Sequence, residues 1–167
     1  VEQQVNKYVN DILQTKDKID YIVASDTDSI YLCLDKLVDK FCKDKTKEQK
    51  LNCVDKVATQ KIEPFIEKCF KKLADYTNAF DQKMVMKREV IADKGIWTAK
   101  KRYILNVYNS EGVDYDEPKL KIMGIEAVKS STPEVCRTGI KEAIRLIMNK
   151  DEDALQNYIA DFKVKFH

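Results

Sequence analysis

The sequence predicts an α+β fold: an antiparallel sheet with helices packed on one face, followed by a helical pair at the C-terminal end. Three observations carry this prediction. Two β-prone apolar runs flank the turn-forming "SDTDS" at residues 25–29, further alternating runs lie between Lys83 and Ile125, and long stretches on either side space their apolar residues three or four apart.

The elements follow in order. Val1, Val5, Tyr8, Val9 and Ile12 have helical spacing from Val1 to about Thr15, and "QTKDKID" then breaks the pattern. Tyr21 to Ala24 reads as a strand, and Ile30, Leu32 and Leu34 alternate with Tyr31 and Cys33 as a second, giving a β-hairpin with aspartates at its tip. From Asp35 to Phe80 the pattern is helical, with Leu51, Val54, Ala58, Ile62, Ile66, Cys69, Leu73 and Tyr76 on one stripe, and Pro64 is expected to kink or split it near Glu63. Lys83 to Ile91 and Lys101 to Tyr108 read as strands, "NSEGVDYDEP" as a turn and Lys119 to Ile125 as a further strand. Thr132 is placed to cap a helix with Pro133 at its first position and Cys136, Ile140, Ala143, Ile144 and Ile147 as its buried stripe. A last helix starts near Asp151, with Leu155, Tyr158, Ile159, Phe162 and Phe166 as its apolar face. The expected subdomain change lies at Ser130 to Thr132, dividing the chain into residues 1–130 and 131–167.

Composition narrows the chemistry. At 167 residues, 44% hydrophobic and 35% charged, the chain can build one ordinary core. Its 30 Lys and Arg against 28 Asp and Glu leave a net charge of +2, so nucleic-acid affinity has to come from local clustering. Five cysteines (Cys33, Cys42, Cys53, Cys69, Cys136) with no CxxC pair, and a single histidine, His167, argue against a disulfide framework, a zinc site and histidine catalysis. No signal peptide or membrane-length apolar run is legible, which favours a reducing, cytoplasmic setting. The chain starts without Met inside a helical pattern and reads as a piece of something larger.

Carboxylates as close as Asp26 and Asp28 repel unless a cation or water lies between them. At i and i+2 in extended chain they share a face, which suits Mg²⁺, commonly held by one or two carboxylates plus water and phosphates. For an isolated "DTD", an exposed turn satisfying its own backbone is the favoured explanation. An EF-hand does not fit, because the sixth and twelfth positions from Asp26 are Tyr31 and Leu37 instead of Gly and Glu. Between Asp81 and Leu105, Lys83, Lys87, Arg88, Lys94, Lys100, Lys101 and Arg102 outnumber Asp81, Glu89 and Asp93 and interleave with Trp97 and Tyr103, a pattern that suits a phosphate backbone or a solvated face.

The strings "DTDSIYL", "KMVMKREVIADKGIWTAKKRYILNVY" and "LKIMGIEAVKSSTP", in this order and spacing, resemble the family B (α-like) DNA polymerases, in particular the replicative enzymes of T-even-like bacteriophages. The resemblance covers nearly the whole chain. It implies two-metal transfer of a nucleotide to a primer 3′-hydroxyl, with two Mg²⁺ ions roughly 3.5–4 Å apart held by carboxylates. On this resemblance Asp28 is the main catalytic metal ligand and Asp26 a weaker one or an electrostatic neighbour. Thr27 approaches the nucleotide phosphates, and Glu89 in "KREVI" corresponds to a third carboxylate. "KKRY" is similar to the motif that holds primer-template: Lys100 on the backbone, Lys101 probing the minor groove, and Arg102 and Tyr103 behind it, with Lys121 extending the track alongside Lys119 and Lys129. The family has Gly where this chain has Ser25, a position at which glycine permits unusual dihedrals.

The family's other metal-binding aspartate, in a "DxxSLYPS"-type motif, and its "KxxxNSxYG"-type motif do not occur in these 167 residues. The resemblance therefore implies the C-terminal part of a polymerase palm with the start of a thumb. Its partners are primer-template DNA, deoxynucleoside triphosphates and the remainder of the polymerase (N-terminal palm, fingers, exonuclease), with no membrane, in the cytoplasm of an infected bacterium. The isolated chain is then incomplete and inactive, either a truncated fragment or one product of a split gene. Two other readings stand beside it: a non-catalytic DNA-binding or assembly fragment, and a DxD metal-dependent glycosyltransferase.

Overall fold

The computed structural model describes residues 1–15 and 19–166, so residues 16–18 of the expected break and His167 lie outside the described residues. Two compact units divide the chain, the first from Val1 to Ile91 and the second from Ala92 onward. The fold is α+β, with antiparallel hairpins and helices.

In the first unit, helix α1 (Glu2–Leu13) buries Val5, Val9 and Leu13 at i, i+4 and i+8 and stops where Gln14 turns left-handed. Strands β1 (Ile22–Asp26) and β2 (Ser29–Leu32) form the expected hairpin, closed by the two residues Thr27–Asp28, with Asp26 opposite Ser29. A register shift between Ile22 and Ala24 bulges β1.

The helical stretch expected from Asp35 to Phe80, kinked or split near Glu63, is interrupted there and also once earlier, giving three helices. Helix α2 (Asp35–Cys42) ends before "KDKT", and Thr46 restarts the chain as α3 (Lys47–Val57) through a capping box with Gln49. A π turn, Ala58–Ile62, leads into α4 (Glu63–Tyr76), where Pro64 sits in the first turn. Proline lacks the N–H that would continue an α ladder back to Gln60, so the widened turn falls just ahead of it. The break between α2 and α3 also corrects the cysteine reading: it lets the two helices fold back so that Cys42 and Cys53 form a disulfide, while Cys33, Cys69 and Cys136 are free thiols. Val5, Val9, Leu13, Tyr21, Leu37, Ile62, Ile66 and Phe70 make the core of this unit.

The later strands form their own three-stranded sheet in the order β3–β4–β5, separate from the hairpin. Strand β3 is Val90–Ala99, not Lys83–Ile91: residues 81–89 run outside both sheets, having no neighbouring strand among the described residues. Central strand β4 (Arg102–Ser110) is buried from Ile104 to Asn109, as a strand with a neighbour on each side requires. The expected ten-residue turn shrinks to Glu111–Gly112, both with positive φ, and β5 spans Val113–Met123. The acidic and proline-containing part of that run is accommodated because β5 is an edge strand, with a register shift between the pairs Val107–Lys119 and Asn109–Asp114.

Helix α5 (Glu134–Asn149) starts one residue later than expected, with Pro133 as its N-cap and no side-chain cap from Thr132. The ψ of 146° at Pro133 keeps that residue extended. Its Ile144 and Met148 pack with Ile104 and Ala127, against Leu120 and Ile122 of the sheet; Met148, not Ile147, supplies the last buried position. Helix α6 (Glu152–Phe166) begins after Asp151, whose carboxylate accepts the Ala154 N–H at 2.9 Å. It packs on α5 where Gly139 leaves room for the Phe162 ring and Tyr158 donates to the Gly139 carbonyl. The Phe166 side chain lies outside the described residues.

Candidate functional site

Two places bring the predicted residues together, one in each unit. The first is the hairpin tip. Asp26 closes β1, Thr27 and Asp28 form the turn, and all three are exposed. The Asp26 carboxylate accepts the Thr27 backbone N–H at 2.9 Å and its hydroxyl at 3.4 Å, fixing the first half of the turn. Because the chain reverses here, Asp26 and Asp28 are related by a tight turn, not by the shared face of an extended strand. Ser25 lies in ordinary strand pairing opposite Ile30, without positive φ, and its hydroxyl donates to Glu2 at 2.9 Å. Ser25 therefore adopts no dihedral that requires glycine, and the bulge of β1 lies ahead of it, between Ile22 and Ala24.

What aims this tip is a pair of asparagines that sequence reading missed. Asn6 of α1 accepts the Tyr21 N–H at 2.9 Å, while the Asn10 side chain donates to the Ile19 carbonyl at 2.8 Å and accepts its N–H at 3.1 Å. Their side chains serve the chain entering β1 much as a neighbouring strand would. The signal available in sequence was asparagine at i and i+4 beside the apolar stripe of α1.

Asp26 and Asp28 are hard oxygen donors that suit Mg²⁺, whose octahedral shell commonly takes one or two protein carboxylates. Among the described residues no group of three or more His, Cys, Asp or Glu side chains gathers into a complete site. The pair fits as part of a metal site. Glu89 is exposed, one residue ahead of β3, next to Arg88. Arg88 pairs with Asp55 at 2.6 Å, and its backbone N–H donates to Glu63 at 2.7 Å, which pins this end of the segment to α3 and α4.

The second place is the turn between β3 and β4. Lys100 and Lys101 are its two exposed residues, and Lys101 has a left-handed φ of 62°. Alternation along β4 then sorts the rest. Tyr103, Leu105 and Val107 share a face with Lys119 and Lys121, the latter opposite Leu105. Arg102, Ile104 and Asn106 take the other face, the one α5 covers. Trp97 joins Tyr103 at a ring separation of 6.3 Å, and a side chain at Gly95 would collide with that indole and with Leu105. One sheet face thus carries Trp97, Tyr103, Lys119 and Lys121.

Arg102 is a structural anchor on the opposite face. Its Nε donates to the Gly124 carbonyl at 3.0 Å and its guanidinium pairs with Glu126, which also accepts from Lys129 at 3.0 Å. The Lys129 hydrogen bond, the backbone hydrogen bond of Glu126 and the Arg102 guanidinium hold the Glu126 carboxyl down to about 2. Sequence reading passed over Glu126; the i, i+3 pair with Lys129 was its signal.

Comparison with known proteins supplies the family. Residues 5–160 match the model of the divergent family B DNA polymerases. The chain is 38% identical over 176 residues to the DNA-directed DNA polymerase of Enterobacteria phage T4, covering 99% of this chain and 20% of that protein. It is 41% identical over 162 residues to the DNA-directed DNA polymerase of Escherichia phage RB69, covering 91% of this chain and 18% of that protein. The chain spans about a fifth of the length of these curated relatives. A family model matching nearly every residue, together with this identity, settles the grouping: the chain belongs to the divergent family B DNA polymerases.

Proposed function

We propose that this chain is the C-terminal part of a DNA polymerase palm, residues 1–130, with the start of the thumb, residues 131–167, and that it works joined to the remainder of the polymerase. What supports this reading most is the exposed Thr27–Asp28 turn, with Asp26 at its base, in a chain of this family. The family leaves no support for the glycosyltransferase reading.

Asp28 and Asp26 would hold Mg²⁺ together with an aspartate from outside the chain, and the metal would supply positive charge to offset the charge that develops in nucleotide transfer. The Thr27 segment orients the nucleotide phosphates. Glu89 adds a third carboxylate near the same site. Lys100 takes a phosphate of the primer-template, and Lys101 donates to the minor-groove acceptors that every correct pair presents. Tyr103 and Lys121 extend this contact along their shared face. Arg102 orders the turn that carries Lys101, through Gly124 and Glu126. Substrates are deoxynucleoside triphosphates and primed DNA, and the setting is the cytoplasm of an infected bacterium. Among the described residues no helix is long and apolar enough to cross a membrane.

Primer extension with Mg²⁺ tests the reading. The chain alone is expected to extend nothing, and the chain joined with the remainder of the polymerase to extend a labelled primer. Extension by the pure chain would refute its incompleteness. Salt-sensitive, metal-independent duplex binding without extension in the joined enzyme would favour a DNA-binding module instead.

A further inference from the structure

We propose that Glu2 is a positioning residue for the metal-binding tip: its carboxylate latches strand β1 through Ser25, one residue ahead of Asp26, and so sets the placement of the Thr27–Asp28 turn. This rests on the polymerase reading above. Glu2, Asn6 and Asn10 stand at i, i+4 and i+8 on one face of α1. They bond in turn to Ser25, Tyr21 and Ile19, so each step toward the start of the helix reaches further toward the tip. The two asparagines act on the backbone entering β1. Glu2 acts within the strand, accepting the Ser25 hydroxyl at 2.9 Å across 23 residues of sequence.

The tip needs such a contact because packing does not fix it. Strands β1 and β2 form a two-stranded sheet of their own, and residues 25–28 are all exposed. A lone ribbon of this kind depends on what it rests against. The register shift between Ile22 and Ala24 also separates the outer end of β1 from the entrance that Asn6 and Asn10 hold. The first turn of α1 is firm by comparison: Val5 is fully buried, and Val1 packs on the same core. Among the described residues Glu2 does not join Asp26 and Asp28 in a three-carboxylate metal group, so its role is to orient and not to ligate. An exposed hydrogen bond adds little stability, but contacts that orient ligands tune metal affinity.

The test measures amide order parameters and thermal unfolding on the isolated chain, and primer extension against Mg²⁺ concentration on the joined polymerase. The latch predicts order parameters at Thr27 and Asp28 lower by about 0.1 or more in Ser25→Ala and in Glu2→Ala, with no further loss in the double variant, since each change breaks the same bond. The melting point of Ser25→Ala should stay within about 2 °C of the parent. Glu2→Gln keeps an acceptor and should hold the parental order, although it loses the negative charge that favours the start of α1. In the joined polymerase, Ser25→Ala should raise the Mg²⁺ concentration for half-maximal extension about threefold, with extension at saturating Mg²⁺ and affinity for primed DNA within about twofold of the parent. When the joined parent extends primers, unchanged tip order or an unchanged Mg²⁺ response overturns the latch and leaves the polymerase reading standing. Lowered tip order beside a joined parent that extends nothing supports the latch and overturns the polymerase reading instead. Loss of tip order in Glu2→Gln as well would mean that Glu2 acts through its charge at the helix start, and the proposal fails. It fails too if Ser25→Ala lowers the melting point by more than about 5 °C, the mark of a contact that holds the fold together.

Discussion

The Arg102 guanidinium and the Glu126 carboxylate face each other across the end of β4, and Glu126 is shared with Lys129. Glu126 has its carboxyl lowered to about 2, so its ionised form is favoured in the folded chain. A lowered carboxyl contributes stability above its unfolded value of about 4.5 and loses it as pH falls toward 2. Glu126→Gln is therefore expected to be less stable than the parent at pH 6, the difference shrinking below pH 4.5 and vanishing near pH 2. Urea unfolding at a series of pH values reads this directly; a gap that stays constant down to pH 2 would show that the charge of Glu126 is not what matters.

Gly124 sits at φ 68°, and a Cβ there would meet the Lys101 carbonyl oxygen, a backbone atom that cannot move aside cheaply. Gly124→Ala is expected to cost about 3 kcal/mol, from left-handed strain plus the clash. Chemical denaturation checks it, and in the joined enzyme the same change should weaken primer-template binding by disturbing the turn at Lys101.

Asn10 gives two of the hydrogen bonds that seat the entrance to β1. Asn10→Ala leaves the Ile19 carbonyl and N–H without this partner and is expected to cost about 2 kcal/mol. Asn6→Ala, which loses one bond to Tyr21, should cost about half as much. Equal, negligible effects in thermal unfolding would mean that water replaces both side chains.

These two asparagines also mark the limit of sequence reading. The apolar spacing of α1, the hairpin around Thr27 and the stripe of α5 were legible because burial imposes a period on sequence. The break between α2 and α3 was not, since helical spacing resumes in phase across it and only the box formed by Thr46 and Gln49 reveals it. Strand β3 was displaced because β-character alone does not supply a neighbour: residues 81–89 have the composition of a strand and no ladder here. At the candidate site, Asp26, Asp28 and the "KKRY" run were visible as charge. Their supports were less legible: Asn6 and Asn10 bond backbone groups distant in sequence, Gly124 lies against the Lys101 carbonyl, and Glu126 pairs with Arg102 across 24 residues as well as with nearby Lys129.

In the joined enzyme, Lys100→Ala is expected to lower the slope of log binding constant against log salt by about 1, the signature of one lost phosphate contact. Lys101→Ala should instead reduce discrimination against mismatched primer ends while leaving the salt slope nearly unchanged. Identical behaviour of the two variants in a salt-dependent binding series would contradict the division of labour along this turn.

Asp28→Asn in the joined polymerase tests the account at its centre, with primer extension and primer-template affinity measured side by side. The exposed carboxylate at the hairpin tip predicts extension reduced about a thousandfold or more, with affinity for primed DNA within about twofold of the parent. Extension that persists at the parental rate, or a loss of DNA binding equal to the loss of extension, would contradict a tip built to hold Mg²⁺.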